Sequence, residues 1–311
     1  MRYASFTVQT GVYFRKLRRI ASKERYWKFI IFAFVISFTV GAVVGGDMFT
    51  NYESTKSGFF SFTSAAIWIG IFNSIQSICR EHEIIRSEYR SGMRLGAYVT
   101  AHALWQLLIC VVQSGIISAA GMIFAHGSAE GLIFPAPVEY FITVLLLCVG
   151  ADMMGLMISA AASDATAAMT VMPFVLILQL IMSGVLFDLS GWSEAVSCLT
   201  FSKWGMCAFG SIADLNDPAL PLRLNEAFPN VIRLEPEKCY EHSPANLLTA
   251  WGICAGIGLF CILACRVILW ARNRPQGSER GRAGACPCTQ LRRKQRSAGK
   301  KIVLRRGRTK L

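Results

Sequence analysis

The chain has 311 residues, 53% of them hydrophobic and 16% charged, with a mean hydropathy of +0.43. A soluble domain carries about 25% charged residues, so this balance excludes an ordinary water-soluble globule. The net charge is +13, yet 14 Lys/Arg against Glu279 alone lie between Arg272 and Leu311, and the rest of the chain sums to zero. The basic balance therefore reports one tail. That tail has no aromatic side chain on which a base could stack, so no nucleic-acid partner is expected.

In chain order, residues 1–28 carry eight Lys/Arg and one acid, Glu24. Val12, Tyr13, Phe14, Leu17 and Ile20 fall among those cations, which predicts an amphipathic helix along the cytosolic membrane surface. No cleaved signal peptide is expected, because the first apolar run starts only near residue 29, behind this basic stretch.

Crossing a hydrocarbon core of ~30 Å takes about 20 apolar residues. Phe29–Gly46, Ser57–Cys79, Leu95–Ala129, Ala165–Phe187 and His242–Cys265 contain no Asp, Glu, Lys or Arg, and Tyr140–Ser163 is interrupted only by Asp152. These runs predict an all-α, polytopic membrane protein with six transmembrane helices over residues 29–272, with Pro173 kinking the fifth. Residues 188–244 are the one sizeable outer loop, whose early part, 190–212, is expected to dip back towards the membrane. Residues 273–311 form a basic cytosolic tail with the composition of a disordered segment, able to meet anionic lipid headgroups.

Orientation follows from the positive-inside rule. The N-terminal segment and the loop bearing Arg80, Arg86, Arg90 and Arg94 are basic, whereas Asp188–Glu241 holds eight Asp/Glu against four Lys/Arg. Six spans place both termini and the Arg80–Arg94 loop on one, cytosolic, side, in a multi-pass cell-membrane protein.

That loop, REHEIIRSEYRSGMR, alternates its charges around Ile84, Ile85, Tyr89 and Met93. Glu83–Arg86 and Arg86–Arg90 have helical neighbour spacing and Gly92 is a stop, so a short amphipathic helix is expected. Most of the 11 cysteines lie in the spans or the tail; Cys198, Cys207 and Cys239 lie in the outer loop, where an oxidising compartment permits one disulfide. Cys286-Pro-Cys288 has no second ligand pair, so no metal site is expected.

No phosphate loop, HExxH or GxSxG motif is present, so the chain carries no recognisable catalytic site. Polar residues inside spans are the remaining candidates. His102, Gln106 and Gln113 share one face of the third span, Asn73 and Gln76 one face of the second, and Gln179 and Ser183 one face of the fifth. Each reads either as part of a polar path or as an interhelical hydrogen bond worth about 0.6 kcal/mol. Asp152, near mid-span, would cost roughly 2.5–3.5 kcal/mol to insert charged.

Glu81–Tyr98 (EHEIIRSEYRSGMRLGAY), Met172–Gly191 and Leu199–Gly210 (LTFSKWGMCAFG), together with the order of the spans, resemble the transmembrane half of G-subfamily (White-type) ABC exporters. The resemblance covers roughly residues 6–272. It implies an ATP-driven permease without catalysis of its own, working as a dimer of two six-span halves. ATP would be bound by a separate ATPase subunit and no cofactor by this chain. It assigns Glu81, Glu83, Glu88, Tyr89 and Arg90 to the ATPase-facing coupling helix, and Asn73, Gln76, Phe174 and Gln179 to a substrate path between the second and fifth spans. The alternatives are an ion-coupled transporter or channel using Asp152, or a membrane scaffold that transports nothing.

Overall fold

The computed structural model describes residues 4–23, 27–49, 52–124, 131–187, 189–216 and 237–274, and every regular element among them is helical. The elements are α1 (Phe6–Lys23), α2 (Trp27–Val44), α3 (Tyr52–Ser74), α4 (His82–Arg90), α5 (Leu95–Phe124), α6 (Ala136–Ala161), α7 (Ala165–Ile181), α8 (Trp192–Ser197), α9 (Phe201–Ile212) and α10 (Pro244–Asn273). Residues 217–236 of the expected outer loop and 275–311 of the expected basic tail lie outside the described residues. Residues 271–311 form a second unit, of which 271–274 are described.

The stretches containing α2, α3, α5, α6 and α10 are each long and apolar enough to cross a membrane. The sixth apolar helix, α7, has 17 residues and contains Pro173. At 1.5 Å per residue it reaches about 25 Å, at the low end of the spanning range. It stops at Ile181 rather than running to Phe187, because the chain turns at Met182–Ser183. Asp164 starts α7, its carboxylate accepting the Ala167 amide at 2.8 Å. That hydrogen bond holds the exposed Asp164 carboxyl below its ordinary pKa.

The pair α3 and α6 forms the centre of the unit. Their backbones approach where Gly70 of α3 faces the Cys148 carbonyl and Gly155 of α6 faces the Ser74 hydroxyl, so a Cβ at either position has no room. Gly70→Leu is therefore expected to force the helices apart at a cost of about 1–3 kcal/mol. A thermal melt of the solubilised variant checks this, and an unchanged midpoint would mean that the contact yields freely. Beyond Ser74 the α-helix gives way to a turn, and the Ser159 hydroxyl accepts the freed amides of Ile78 and Cys79 at 3.0 and 3.1 Å.

The early part of the expected outer loop holds α9, which is buried along nearly its whole length against α3 and α6. Gln179 of α7 holds its first turn: Oε1 accepts the Ser202 amide at 3.2 Å, and the Ser202 hydroxyl donates to the Gln179 carbonyl. In the middle of α9, Cys207 is disulfide-bonded to Cys239, with Cα atoms 5.0 Å apart. Cys198 is a free, exposed thiol.

Before α6 the chain turns at residues 132–134, and Glu139, 0% exposed, satisfies that turn. Its carboxylate accepts backbone amides from Leu132 (3.1 Å), Ile133 (2.6 Å) and Phe134 (3.0 Å).

Candidate functional site

The charged helix α4 is anchored on one face and open on the other. Ile85 is fully buried and Met93 nearly so, packed with Ile78, Tyr98, Leu156 and Cys265 of the surrounding helices. The helix ends in a Schellman turn, in which Met93 N–H donates to the Glu88 carbonyl (3.0 Å) and Gly92 N–H to that of Tyr89 (3.1 Å). Gly92 has φ +102°, a conformation that favours glycine. Glu83 in the first turn and Arg90 in the last both match the helix macrodipole.

The resemblance-assigned residues divide between these two faces. Glu83 and Arg90 are exposed, and with Ile84 (47% exposed), Arg86 and Ser87 they share the outward side of α4. Tyr89 is half-buried. Glu81 and Glu88 turn instead to neighbouring helices. Glu81 Oε2 accepts from Lys16 Nζ (3.2 Å) and from the Tyr98 hydroxyl (3.0 Å), and Glu88 Oε2 accepts from the Tyr13 hydroxyl (2.9 Å). Burial, then the bond to Glu88, raises the Tyr13 phenol well above its ordinary pKa, so it remains a donor throughout the physiological range. Gln9 adds a third tie, accepting the Arg94 amide at 2.9 Å. The N-terminal helix α1 is thereby fastened to α4 and to the start of α5, against which Tyr13 packs edge-on to Tyr98 and Phe14 to Trp105.

The in-span polar residues form a lattice rather than an open path. Asn73 and Gln113 exchange side-chain hydrogen bonds at 2.6 and 3.1 Å, Gln113 also donates to the Phe29 carbonyl, and Gln106 donates to the Asn73 carbonyl. Ser74 donates to the Asp152 carbonyl at 2.7 Å, tying α3 to α6. The Asp152 carboxylate is 0% exposed; Cys110 Sγ lies 3.8 Å from Oδ2, and Oδ1 has no hydrogen-bond partner among the described residues. Of the four path candidates, Asn73 and Gln179 are consumed in bonds between helices. Gln76 is half-buried and accepts from Arg80, while Phe174 on α7 is 71% exposed.

Sequence reasoning missed the three-amide role of Glu139 and the packing of Phe201–Ile212 as a buried helix against α3 and α6. An acid at the mouth of a span, beside a Gly/Pro-rich turn, was the available signal for the first. The small residues Gly205, Ala208 and Gly210 were the signal for the second.

Several helices long and apolar enough to cross a membrane, with one anchored, charged helix on their surface, define a multi-pass membrane protein. The chain belongs to the ABC-2 type transporter family, whose model matches residues 9–211, and is a multi-pass membrane permease of the ABC class. It is 26% identical over 216 residues to the ABC transporter ATP-binding/permease protein Rv1747 of Mycobacterium tuberculosis. The match covers 65% of this chain, but the chain spans only 25% of that relative's length.

Proposed function

We propose that the chain is the permease half of an ATP-driven exporter, working as a dimer with nucleotide-binding domains that dock on α4 from the cytosol. The observation that carries this reading is the division of α4 into a buried anchor, Ile85, and an exposed strip of Glu83, Ile84, Arg86, Ser87 and Arg90. A partner pushing on that strip would move a rigid, capped helix and its neighbours. The relative's ATP-binding/permease name supports an ATPase as the partner of the permease half. The substrate path would run beside α3 and α7 at the dimer axis, lined by Gln76 and the exposed Phe174, with Asn73 and Gln179 stiffening its walls. Both termini would be cytosolic, and lipid would cover the remaining apolar faces.

The experiment is co-purification of the solubilised chain with its ATPase, read as ATP hydrolysis in the eluate. Reversing the exposed charges, Glu83→Lys with Arg90→Glu, is expected to remove the activity while lowering the melting temperature by only a few °C, since each charge set against the helix dipole costs about 0.3–1 kcal/mol. Recovery of the chain with no ATPase activity, or activity untouched by the reversal, would overturn the proposal. Transport would then have to run through Asp152 as an ion-coupled pathway, or the chain would be a scaffold.

A further inference from the structure

One face of α1 carries cations that the described residues do not neutralise. Arg15, Arg18, Arg19 and Lys23 are exposed and follow one another at helical neighbour spacing, while Leu17 and Ala21 on the opposite side are buried. None of the four belongs to an ion pair among the described residues. The acids that meet α1, Glu81 and Glu88, bond Lys16 and Tyr13 instead. Glu24 lies outside the described residues, and residues 15–28 hold seven Lys/Arg against it alone.

The packing of α5 sets the level of this face. At 30 residues α5 is about 45 Å long, roughly 15 Å more than a hydrocarbon core requires. Its far end, Phe124, lies against Gly45 just after α2, and Gln113 donates to the Phe29 carbonyl near the start of α2 at 3.3 Å. With 18 residues, about 27 Å, α2 accounts for the depth of the core. The remaining, first part of α5 carries α1: Gln9 bonds Arg94, Tyr13 packs on Tyr98 and Phe14 on Trp105. So α1 lies at the level of the lipid headgroups. Lys23 is four residues from Trp27, a half-exposed indole where an aromatic belt would sit. Val8 and Val12, 57% and 54% exposed, share the cationic face, which suits a headgroup–acyl boundary better than open water.

We propose that this face of α1 binds an acidic glycerophospholipid, its phosphate held by the guanidinium forks of Arg15, Arg18 and Arg19 with Lys23 beside them. A planar fork of N–H donors matches the oxygens of a phosphate. A net anionic headgroup is preferred to a zwitterionic one, whose ammonium group the same cations repel. The binding does not depend on which partner docks on α4.

The test places the full chain in phosphatidylcholine nanodiscs doped with phosphatidylglycerol that carries a diazirine at its headgroup. Adducts are mapped by mass spectrometry against a phosphatidylcholine bearing the same group. Labelling is expected between Arg15 and Lys28, at a lower mole fraction for the glycerol lipid. Each cation near a membrane surface is worth about fivefold in binding. Arg15→Gln with Arg18→Gln and Arg19→Gln should therefore raise the mole fraction for half-labelling at least about tenfold, with the melt unmoved. The three lysine substitutions keep the charge and should recover most of that loss. Taking three charges from the tail instead, as Arg292→Gln, Arg293→Gln and Lys294→Gln, should change labelling of α1 less than about twofold. Equal loss with the tail variant would mean diffuse attraction and overturn the site. Equal labelling by the two lipids, displacement by millimolar inorganic phosphate, or no adducts on α1 would each overturn it as well. The last result would leave the cations to an acidic protein surface.

Discussion

Glu139→Ala is expected to lower the melting temperature of the solubilised protein by on the order of 10 °C. The carboxylate is fully buried and accepts three consecutive backbone amides from the turn at residues 132–134. Hydrogen bonds to a charged acceptor contribute about 1.5–3 kcal/mol each, and an orphaned buried donor costs a further 1–3 kcal/mol. Even with water replacing part of the set, the loss should reach about 3–5 kcal/mol. Pro135 and Pro137 flank the site and have no N–H, so the neighbouring backbone offers fewer ways to rearrange. Glu139→Gln keeps one acceptor oxygen with two lone pairs but loses the charge, and should fall about halfway. An alanine variant that melts within 2 °C of the parent would show that solvent already satisfies these amides and that the carboxylate is dispensable.

The contrast between Glu139 and the spans shows what was legible in the sequence. Runs of 18 or more residues with at most one charge have few fates outside lipid, and α2, α3, α5, α6 and α10 lie where those runs predicted. The alternation around Ile84 and Ile85 located α4, and Ile85 is its buried anchor. Length reasoning does not reach α9: twelve residues are too few to span, so Phe201–Ile212 is expected only as a dipping part of the outer loop, although it is among the most buried helices. Its burial depends on contacts with Gly150 and Leu147 of α6, far away in sequence. Likewise Asn73 and Gln113 could be placed on their helix faces, but only the packing of α3 against α5 turns them towards each other and favours interhelical bonding over a path. Periodicity gives a residue's face, not the partner that face will meet.

Removing the disulfide, as Cys207→Ala with Cys239→Ala, is expected to cost roughly 3–4 kcal/mol, the loop-closure value for a separation of 32 residues. The melt should fall by on the order of 10 °C, and a phosphine reductant should shift the parent equally while leaving the variant unmoved. The bond also reports on the proposed orientation. Lys56, in the first turns of α3, pairs with Glu237 at 3.0 Å and lies over the Tyr240 ring, which fixes the Cys239 turn at the start of α3. The helix α4 follows the other end of α3, about 34 Å away for 23 residues. Disulfides persist only on the oxidising side of a membrane, so a bond formed in cells puts α4 on the reducing side, where ATP is available. Alkylation of whole cells before lysis separates the outcomes. Unmodified Cys207 and Cys239 would support α4 as the face that meets an ATPase. Two alkylated thiols would place α4 on the wrong side of the membrane, and the coupling mechanism would fail with it.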